Sequence, residues 1–416
     1  MKICVIGLGY IGLPTAAMFA KSGHQVVGVD KNATIVEALN KGHIVIHEQH
    51  LDQLVKEAVA AGRLRGVSCP ELADVFIIAV PTPLTEDKRA DMRYVKAAAE
   101  EITPYLKRGN TVILESTSPL GTVDELLRPI LEQSGLTAGG DFYLGHSPER
   151  VIPGQILYEL VHNSRIAGGI DQTSAEKIAS IYRSFVEGDI YLCDAKTAEL
   201  AKLTENTFRD INIAFANELA QICESCGVNV WRLIELTNKH PRVNIHQPGP
   251  GVGGHCIAVD PWFIVETQPE IARLIAQARR INDAMPEFVA GRISSILSGV
   301  DEPRVAVLGV TYKPDVDDVR ESPILHLLPL LRQRGFSVSA HDPYAGGADY
   351  AADALSAAQD CDLLLLGVHH SDYRQLDLRA IAGQMRRPNL LDTRNFFGRE
   401  AAEAAGFNYY LLGERR

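Results

Sequence analysis

The chain has 416 residues, 46% hydrophobic and 22% charged, and its 41 Lys and Arg against 52 Asp and Glu leave a net charge of −11. That length exceeds a single hydrophobic core and calls for two or three domains, while the acidic balance argues against a nucleic-acid partner. No apolar run reaches the roughly 18 to 20 residues that span a bilayer, and Met1-Lys2-Ile-Cys-Val-Ile leads straight into Gly7 without a signal-peptide layout, so a cytoplasmic protein with no membrane insertion is expected.

The first 30 residues read strand, turn, helix, strand. Lys2 to Ile6 is a short apolar strand, Leu13 to Ser22 an Ala-rich helix ending at Gly23, and Gln25 to Val29 a second strand finishing in Asp30. Between strand and helix, Gly7-Leu-Gly9-Tyr10-Ile11-Gly12 is a G-x-G-x-x-G followed by an acid about 20 positions on, the context a dinucleotide site requires. Gly7 makes the turn, Gly9 lets backbone reach a pyrophosphate, and Gly12 lets helix and strand pack closely. The helix N-terminus offers N–H groups and a positive dipole end to the phosphates. Asp30 is placed to accept both adenosine ribose hydroxyls and to repel a 2′-phosphate, favouring NAD over NADP, although Lys31 stands beside it.

Further apolar runs read as buried parallel strands. Val75 to Val80 leads into Pro81-Thr82-Pro83, Thr111 to Leu114 into Glu115-Ser-Thr117, and Phe142 to Gly145 into His146-Ser-Pro148-Glu149-Arg150. Each set of polar residues follows a strand's carboxyl end, the edge where open α/β sheets bind ligands. From about Lys196 the pattern turns helical. Thr197 to Cys226 is nearly unbroken and would span on the order of 45 Å, with Lys202 and Asn206 one turn apart on one face. Such a helix is a candidate dimer surface. Cys223 and Cys226 form a C-x-x-C, but within that helical pattern and without a second Cys or His pair at zinc spacing; no metal site is expected.

Gly249-Pro-Gly-Val-Gly253-Gly-His255-Cys256-Ile-Ala-Val-Asp260 follows, setting a thiol at the end of a glycine-rich loop with a carboxylate four residues later. A Cys so placed is a candidate nucleophile if something takes its proton. A second α/β unit opens at Val305 to Gly309, continues with a helix from about Pro323 and a strand at Ser337 to Ala340, and meets Asp342. Its turn, Gly309-Val-Thr-Tyr312-Lys313-Pro314, lacks the second and third glycines, so it reads as a duplicated scaffold serving a different ligand, a nucleotide moiety. Asp360 to Leu366 and Asn389 to Asp392 supply later strands. The expected fold is α/β, two Rossmann-like doubly wound domains (1–195 and 300–416) joined by a long-helix central domain (196–299).

Six motifs recur in order along essentially the whole chain: G-x-G-Y-x-G, V-P-T-P, E-S-T, S-P-E-R, K-L-x-E-N and G-x-G-G-x-C-x-x-x-D. Together they resemble the UDP-glucose/GDP-mannose dehydrogenases, a family of nucleotide-sugar 6-dehydrogenases. Ser116 to Pro119, Pro148 to Gly154, Leu203 to Asp210 and His240 to Phe263 are most similar to its UDP-N-acetyl-D-mannosamine dehydrogenase branch. His255-Cys256-Ile-Ala-Val-Asp260 departs from the Ser-Cys and Phe/Leu-Pro-x-Asp common in the family and weighs against the UDP-glucose branch.

The resemblance implies oxidation of a sugar C6 alcohol to a carboxylate with two NAD and a thioester on the way. It makes Cys256 the nucleophile and has Lys202 and Asn206 hold the C6 oxygen and a water, with Lys202 facing the developing oxyanion. Asp260 accepts the alcohol proton through that water, and Glu149 activates water against the thioester with Thr117 beside it. The NAD set would be Gly7, Gly9, Tyr10, Ile11, Gly12, Asp30, Lys31, Pro81, Thr82, Thr117 and Arg320. The UDP-sugar set would be Glu149, Arg150, Val151, Lys202, Asn206, Arg242, Gly253 and Lys313, Arg242 reaching across a subunit interface of a homodimer or larger homo-oligomer. Other readings stay open: a 6-dehydrogenase for UDP-N-acetylglucosamine, UDP-glucose or GDP-mannose, a single-step β-hydroxyacid dehydrogenase, or a non-catalytic NAD-binding regulator.

Overall fold

The computed structural model describes every residue except His47, Pro153 and Arg416; Pro153, part of the Pro148–Gly154 motif, thus lies outside the described residues. The chain divides into two compact units. One comprises residues 1–205 with 262–269, the other 206–261 with 270–416.

The first unit is built on eight strands: β1 (Lys2–Ile6), β2 (Gln25–Val29), β3 (Leu64–Val67), β4 (Val75–Ile78), β5 (Thr111–Leu114), β6 (Tyr143–His146), β7 (Arg165–Gly169) and β8 (Ile190–Asp194). Their order is β3-β2-β1-β4-β5-β6-β7-β8, whose first six positions are the Rossmann order. All neighbours are parallel except β6 and β7, which run antiparallel. Successive side chains of a strand point to opposite faces, and β1 shows both faces buried. Ile3 and Val5 enter one core with Leu13, Phe19 and Tyr182, whereas Cys4 and Ile6 enter another with Val95, Ile102 and Leu127. Each large aliphatic side chain so buried contributes about 1.5–3 kcal/mol.

The second unit repeats the arrangement on five parallel strands: β9 (Arg304–Leu308), β10 (Ser337–His341), β11 (Leu363–Leu366), β12 (Asn389–Asp392) and β13 (Asn408–Leu411), in the order β10-β9-β11-β12-β13. Again one strand feeds two cores, Val305 and Val307 on one side and Ala306 and Leu308 on the other. The fold is therefore α/β with two doubly wound sheets, the first mostly and the second wholly parallel. Strands β3, β7, β8 and β13 are additions to the sequence reading; the exposed positions of β8 and the Gly pair of β7 lack a plain apolar run.

The long helix spans Ala195–Cys226, 32 residues and thus about 48 Å. Asp194 starts it by accepting the amide and hydroxyl of Thr197 at 2.8 and 2.6 Å. Gly227 ends it at φ +73°, a left-handed conformation that glycine adopts without penalty. Among the described residues no helix is long and apolar enough to cross a membrane.

Candidate active site

In the first unit the Gly7–Gly12 turn joins β1 to the helix Gly12–Lys21. Gly7 sits at φ +95°, and a Cβ on Gly12 would stand 1.9 Å from the Gly7 carbonyl oxygen, so no other residue fits there. Nothing lies within 4 Å of where a Gly9 Cβ would be, which leaves that backbone open to a ligand. The helix that follows has no side-chain cap, and its first N–H groups point toward the turn. Asp30, at the end of β2, accepts the Leu8 amide on Oδ2 at 3.0 Å and the Asn32 amide on Oδ1 at 2.8 Å. It therefore holds the turn, and each oxygen keeps a lone pair for a further donor. Lys31 turns away to Glu101 at 2.7 Å. An open backbone turn, an uncapped helix and an adjacent carboxylate fit the pyrophosphate and ribose of NAD.

The loops after β4 and β5 are tied together. Thr82 Oγ1 donates to the Thr117 carbonyl at 2.8 Å and Ser116 Oγ to that of Val80 at 2.7 Å; Pro81 and the half-buried Thr117 lie in the same pair of loops. After β6, Glu149 is buried and accepts the Arg150 amide on Oε1 at 2.6 Å and Arg165 Nη1 on Oε2 at 2.8 Å. Arg150 pairs with Glu205 at 2.7 Å. Burial pushes the His146 imidazole down to about 3, with the charges of Lys202 and Arg165 adding to the effect, so that ring is neutral.

In the second unit, the carbonyl of half-buried Cys256 accepts the amides of Val259 and Asp260 at 2.9 and 2.8 Å. That turn starts the helix Asp260–Thr267. Asp260 is buried, and its Oδ2 accepts Asn206 Nδ2 at 2.6 Å. The glycine loop lies flush on its surroundings. Gly254, at φ +86°, leaves no room for a Cβ beside the Tyr312 ring, and its amide donates to the Arg320 carbonyl at 3.0 Å. A Cβ on Gly253 would stand 2.3 Å from the Glu321 carbonyl oxygen. Burial lowers the Lys313 ammonium pKa, as does Arg209, against the opposing pull of Asp318 and of the Cys256 thiolate. Burial also pushes the Tyr312 phenol up to about 12, helped by Asp318 and Cys256. Arg320 forks onto Asp318 at 2.6 and 2.9 Å, and Arg242 lies in an exposed turn whose amide donates to His240 Nδ1 at 3.3 Å.

Sequence reasoning missed two features here. The Gly249 amide donates to Asn217 at 2.9 Å, Asn217 to Asn282 at 2.9 Å, and Asn282 to Asp210 at 2.7 Å, where Arg279 also binds at 2.5 Å. This buried polar chain ties the glycine loop to two helices; scattered Asn, Asp and Arg within helical patterns were its signal in the sequence. The second is Arg394, just past β12. A Cβ on Gly249 would stand 2.2 Å from its Nη1, its shielded Nε has no partner among the described residues, and burial pushes its pKa down to about 10 against the pull of Asp392. A shielded cation of this kind favours an anionic ligand. Lys202 and Asn206 share the one continuous helix, although the division between units falls between Glu205 and Asn206.

Residues 1–186 match the NAD binding domain of the UDP-glucose/GDP-mannose dehydrogenase family, residues 196–284 its central domain and residues 306–399 its UDP binding domain. The chain is 48% identical over 420 residues to the UDP-N-acetyl-D-mannosamine dehydrogenase of Methanocaldococcus jannaschii, covering 99% of this chain and 96% of that one. It is 45% identical over 409 residues to the NDP-N-acetyl-D-galactosaminuronic acid dehydrogenase of Ralstonia solanacearum, covering 95% and 96%. The solved structure of a UDP-D-ManNAc dehydrogenase from Pyrococcus horikoshii superposes with a TM-score of 0.93 at 41% identity, over 99% of both chains. The chain belongs to the UDP-glucose/GDP-mannose dehydrogenase family and is an NAD-dependent dehydrogenase of UDP-sugars.

Proposed function

We propose that this enzyme oxidises the C6 alcohol of UDP-N-acetyl-D-mannosamine to the carboxylate in two dehydrogenations, through a thiohemiacetal and then a thioester on Cys256. The observation that carries the reading is the placing of Cys256 one turn from the buried Asp260, within a loop whose glycines admit no side chain. NAD, when bound on the Gly7–Gly12 turn with Asp30, supplies the two-electron acceptor for each dehydrogenation. Asp260, oriented by Asn206, takes the C6 alcohol proton through a water. Lys202 stabilises the oxyanion. The Cys256 sulfur, its charge opposed by Lys313, adds to the C6 aldehyde. Glu149, with Thr117 assigned to the same strand-end cleft, then takes a proton from the water that displaces the thiol.

Arg394, Lys313 and Gly253 fit the UDP side of the substrate, Glu149 to Val151 its sugar side, and Pro81, Thr82, Thr117 and Arg320 the cofactor side; the division at about 195 and 299 belongs to the same proposal. So do a cytoplasmic setting and a homodimer. Phe208, Phe215 and Ile222 are 62%, 48% and 50% exposed at seven-residue intervals on the long helix, a stripe of the sort a second copy covers. The exposed Arg242 would then serve the partner's substrate.

The M. jannaschii and R. solanacearum relatives both carry N-acetylated sugars in their names, which supports a 2-acetamido substrate. NADH formation with UDP-N-acetylmannosamine, UDP-N-acetylgalactosamine, UDP-N-acetylglucosamine, UDP-glucose and GDP-mannose tests the choice. The mannosamine sugar should lead by about tenfold to a hundredfold, the value of an amide whose partners match, roughly 1–3 kcal/mol. A lead for UDP-glucose or GDP-mannose would overturn the substrate while leaving the chemistry in place.

A further inference from the structure

Glu115, which closes β5, and Glu149, which follows β6, are both buried, and Arg165 on β7 lies between them. Arg165 gives Nη1 to Glu149 Oε2 at 2.8 Å, Nη2 to Glu115 Oε1, and Nε to Ser147 Oγ at 2.9 Å. Its guanidinium stacks 3.8 Å from the centre of the Tyr182 ring, and the Tyr182 hydroxyl donates to the same Glu115 Oε1 at 2.9 Å. Among the described residues neither the shielded second oxygen, Glu115 Oε2, nor the equally shielded Thr15 hydroxyl makes a hydrogen bond of good geometry, although the Thr15 hydroxyl stands near enough to Glu115 to lower its pKa. Two carboxylates thus share one buried cation, where each charge strongly affects the others. Nothing in the chemistry above uses Glu115.

We propose that Glu115 is a positioning residue for Glu149: by occupying half of the Arg165 guanidinium it leaves Glu149 able to accept the proton of the hydrolytic water. The inference rests on Glu149 being that base. A carboxylate facing an undivided guanidinium in a buried site is held ionised and gives up its basicity. A second carboxylate on the same guanidinium restores it. In the step itself, water oxygen bonds to C6, one water proton passes to Glu149, the C6–Sγ bond breaks, and Cys256 leaves with the bonding electron pair as thiolate. The sugar keeps both oxygens as a carboxylic acid that loses its proton, and no electrons enter or leave.

The groups facing Glu115 are Arg165, Glu149, the Tyr182 hydroxyl and the Thr15 hydroxyl, with His146 near Arg165. Burial pushes Glu115 up to about 7, with Arg165 opposing and Glu149 assisting. Its charge, and therefore its help to Glu149, is present above that pH and fades below it.

The test separates dehydrogenation from hydrolysis. Wild type, Glu115→Gln and Glu149→Gln are mixed with UDP-N-acetylmannosamine and excess NAD, and intact-protein mass is followed beside NADH. Glu115→Gln should still release a rapid two NADH per active site, then turn over about tenfold more slowly, with the uronyl thioester visible as a mass increase on Cys256 that hydroxylamine removes. The wild-type hydrolysis rate should rise through about pH 7, and the Glu115→Gln rate should lose that rise. Tyr182→Phe, a milder change should the glutamine variant not fold, removes one donor to the Glu115 carboxylate; hydrolysis should slow at pH 7 and recover at higher pH. If Glu149→Gln accumulates the adduct while Glu115→Gln and Tyr182→Phe hydrolyse it as the wild type does, Glu115 has no such role. If Glu149→Gln itself hydrolyses normally, the assignment of the base fails, and this proposal with it.

Discussion

Asn206 donates from Nδ2 to Asp260 Oδ2 at 2.6 Å, and both side chains are buried. The pair joins the long helix to the residue that closes the Cys256 turn, so the amide fixes the carboxylate. A hydrogen bond to a charged group is worth about 1.5–3 kcal/mol. Asn206→Ala should therefore lower kcat about tenfold to a hundredfold, and Asp260→Asn by about a hundredfold or more. Because the two act as a unit, the double variant should fall well short of the product of the single losses. Losses that multiply in full would show independent roles.

Asp30 does two things that one substitution separates. In the proposed cofactor site its carboxylate would repel a 2′-phosphate, and it already holds the Leu8 and Asn32 amides. Asp30→Ala should narrow the preference for NAD over NADP by about tenfold or more, and Asp30→Asn should narrow it while keeping more of the NAD affinity. Equal use of both cofactors by the unaltered enzyme would remove the ribose role. Asp342 repeats the backbone half of this arrangement after β10, accepting the amides of Val310 and Thr311 at 2.6 and 3.0 Å. The duplicated acid is thus first a turn-holding residue, a role apparent only once the amides were placed.

What could be read from the chain follows from this distinction. The G-x-G-x-x-G was readable because sterics at Gly7 and Gly12 admit nothing else, and β4, β5 and β11 because their buried runs are continuous. The partners that set the electrostatics were not. Arg165 reaches Glu149 only because β7 turns antiparallel against β6, Asp210 and Arg279 are 69 positions apart, and Arg394 meets Gly249 from the far end of the chain. No local period encodes such pairings. Spacing did mark Asn206 and Asp260 as candidates, but not their bond.

Stability should report the same buried carboxylate through pH. Glu115 is raised from the ordinary value to about 7 in the folded chain, mainly by burial, against about 4.3 when unfolded. Between those values the folded state holds the proton that the unfolded state has released, so stability falls as pH rises from about 4 to about 7. Glu115→Gln cannot lose a proton. Its thermal midpoint relative to the wild type should therefore improve across that interval and level off above it. A difference that does not change with pH would mean Glu115 titrates as an ordinary carboxylate.

The covalent route through Cys256 is tested by counting NADH against sugar consumed. Two NADH per UDP-sugar are expected, with no free aldehyde trapped by an added hydrazine, and Cys256→Ser should form almost no uronate because an alcohol is a poor nucleophile without strong activation. One NADH per sugar, or full uronate formation by Cys256→Ser, would contradict it.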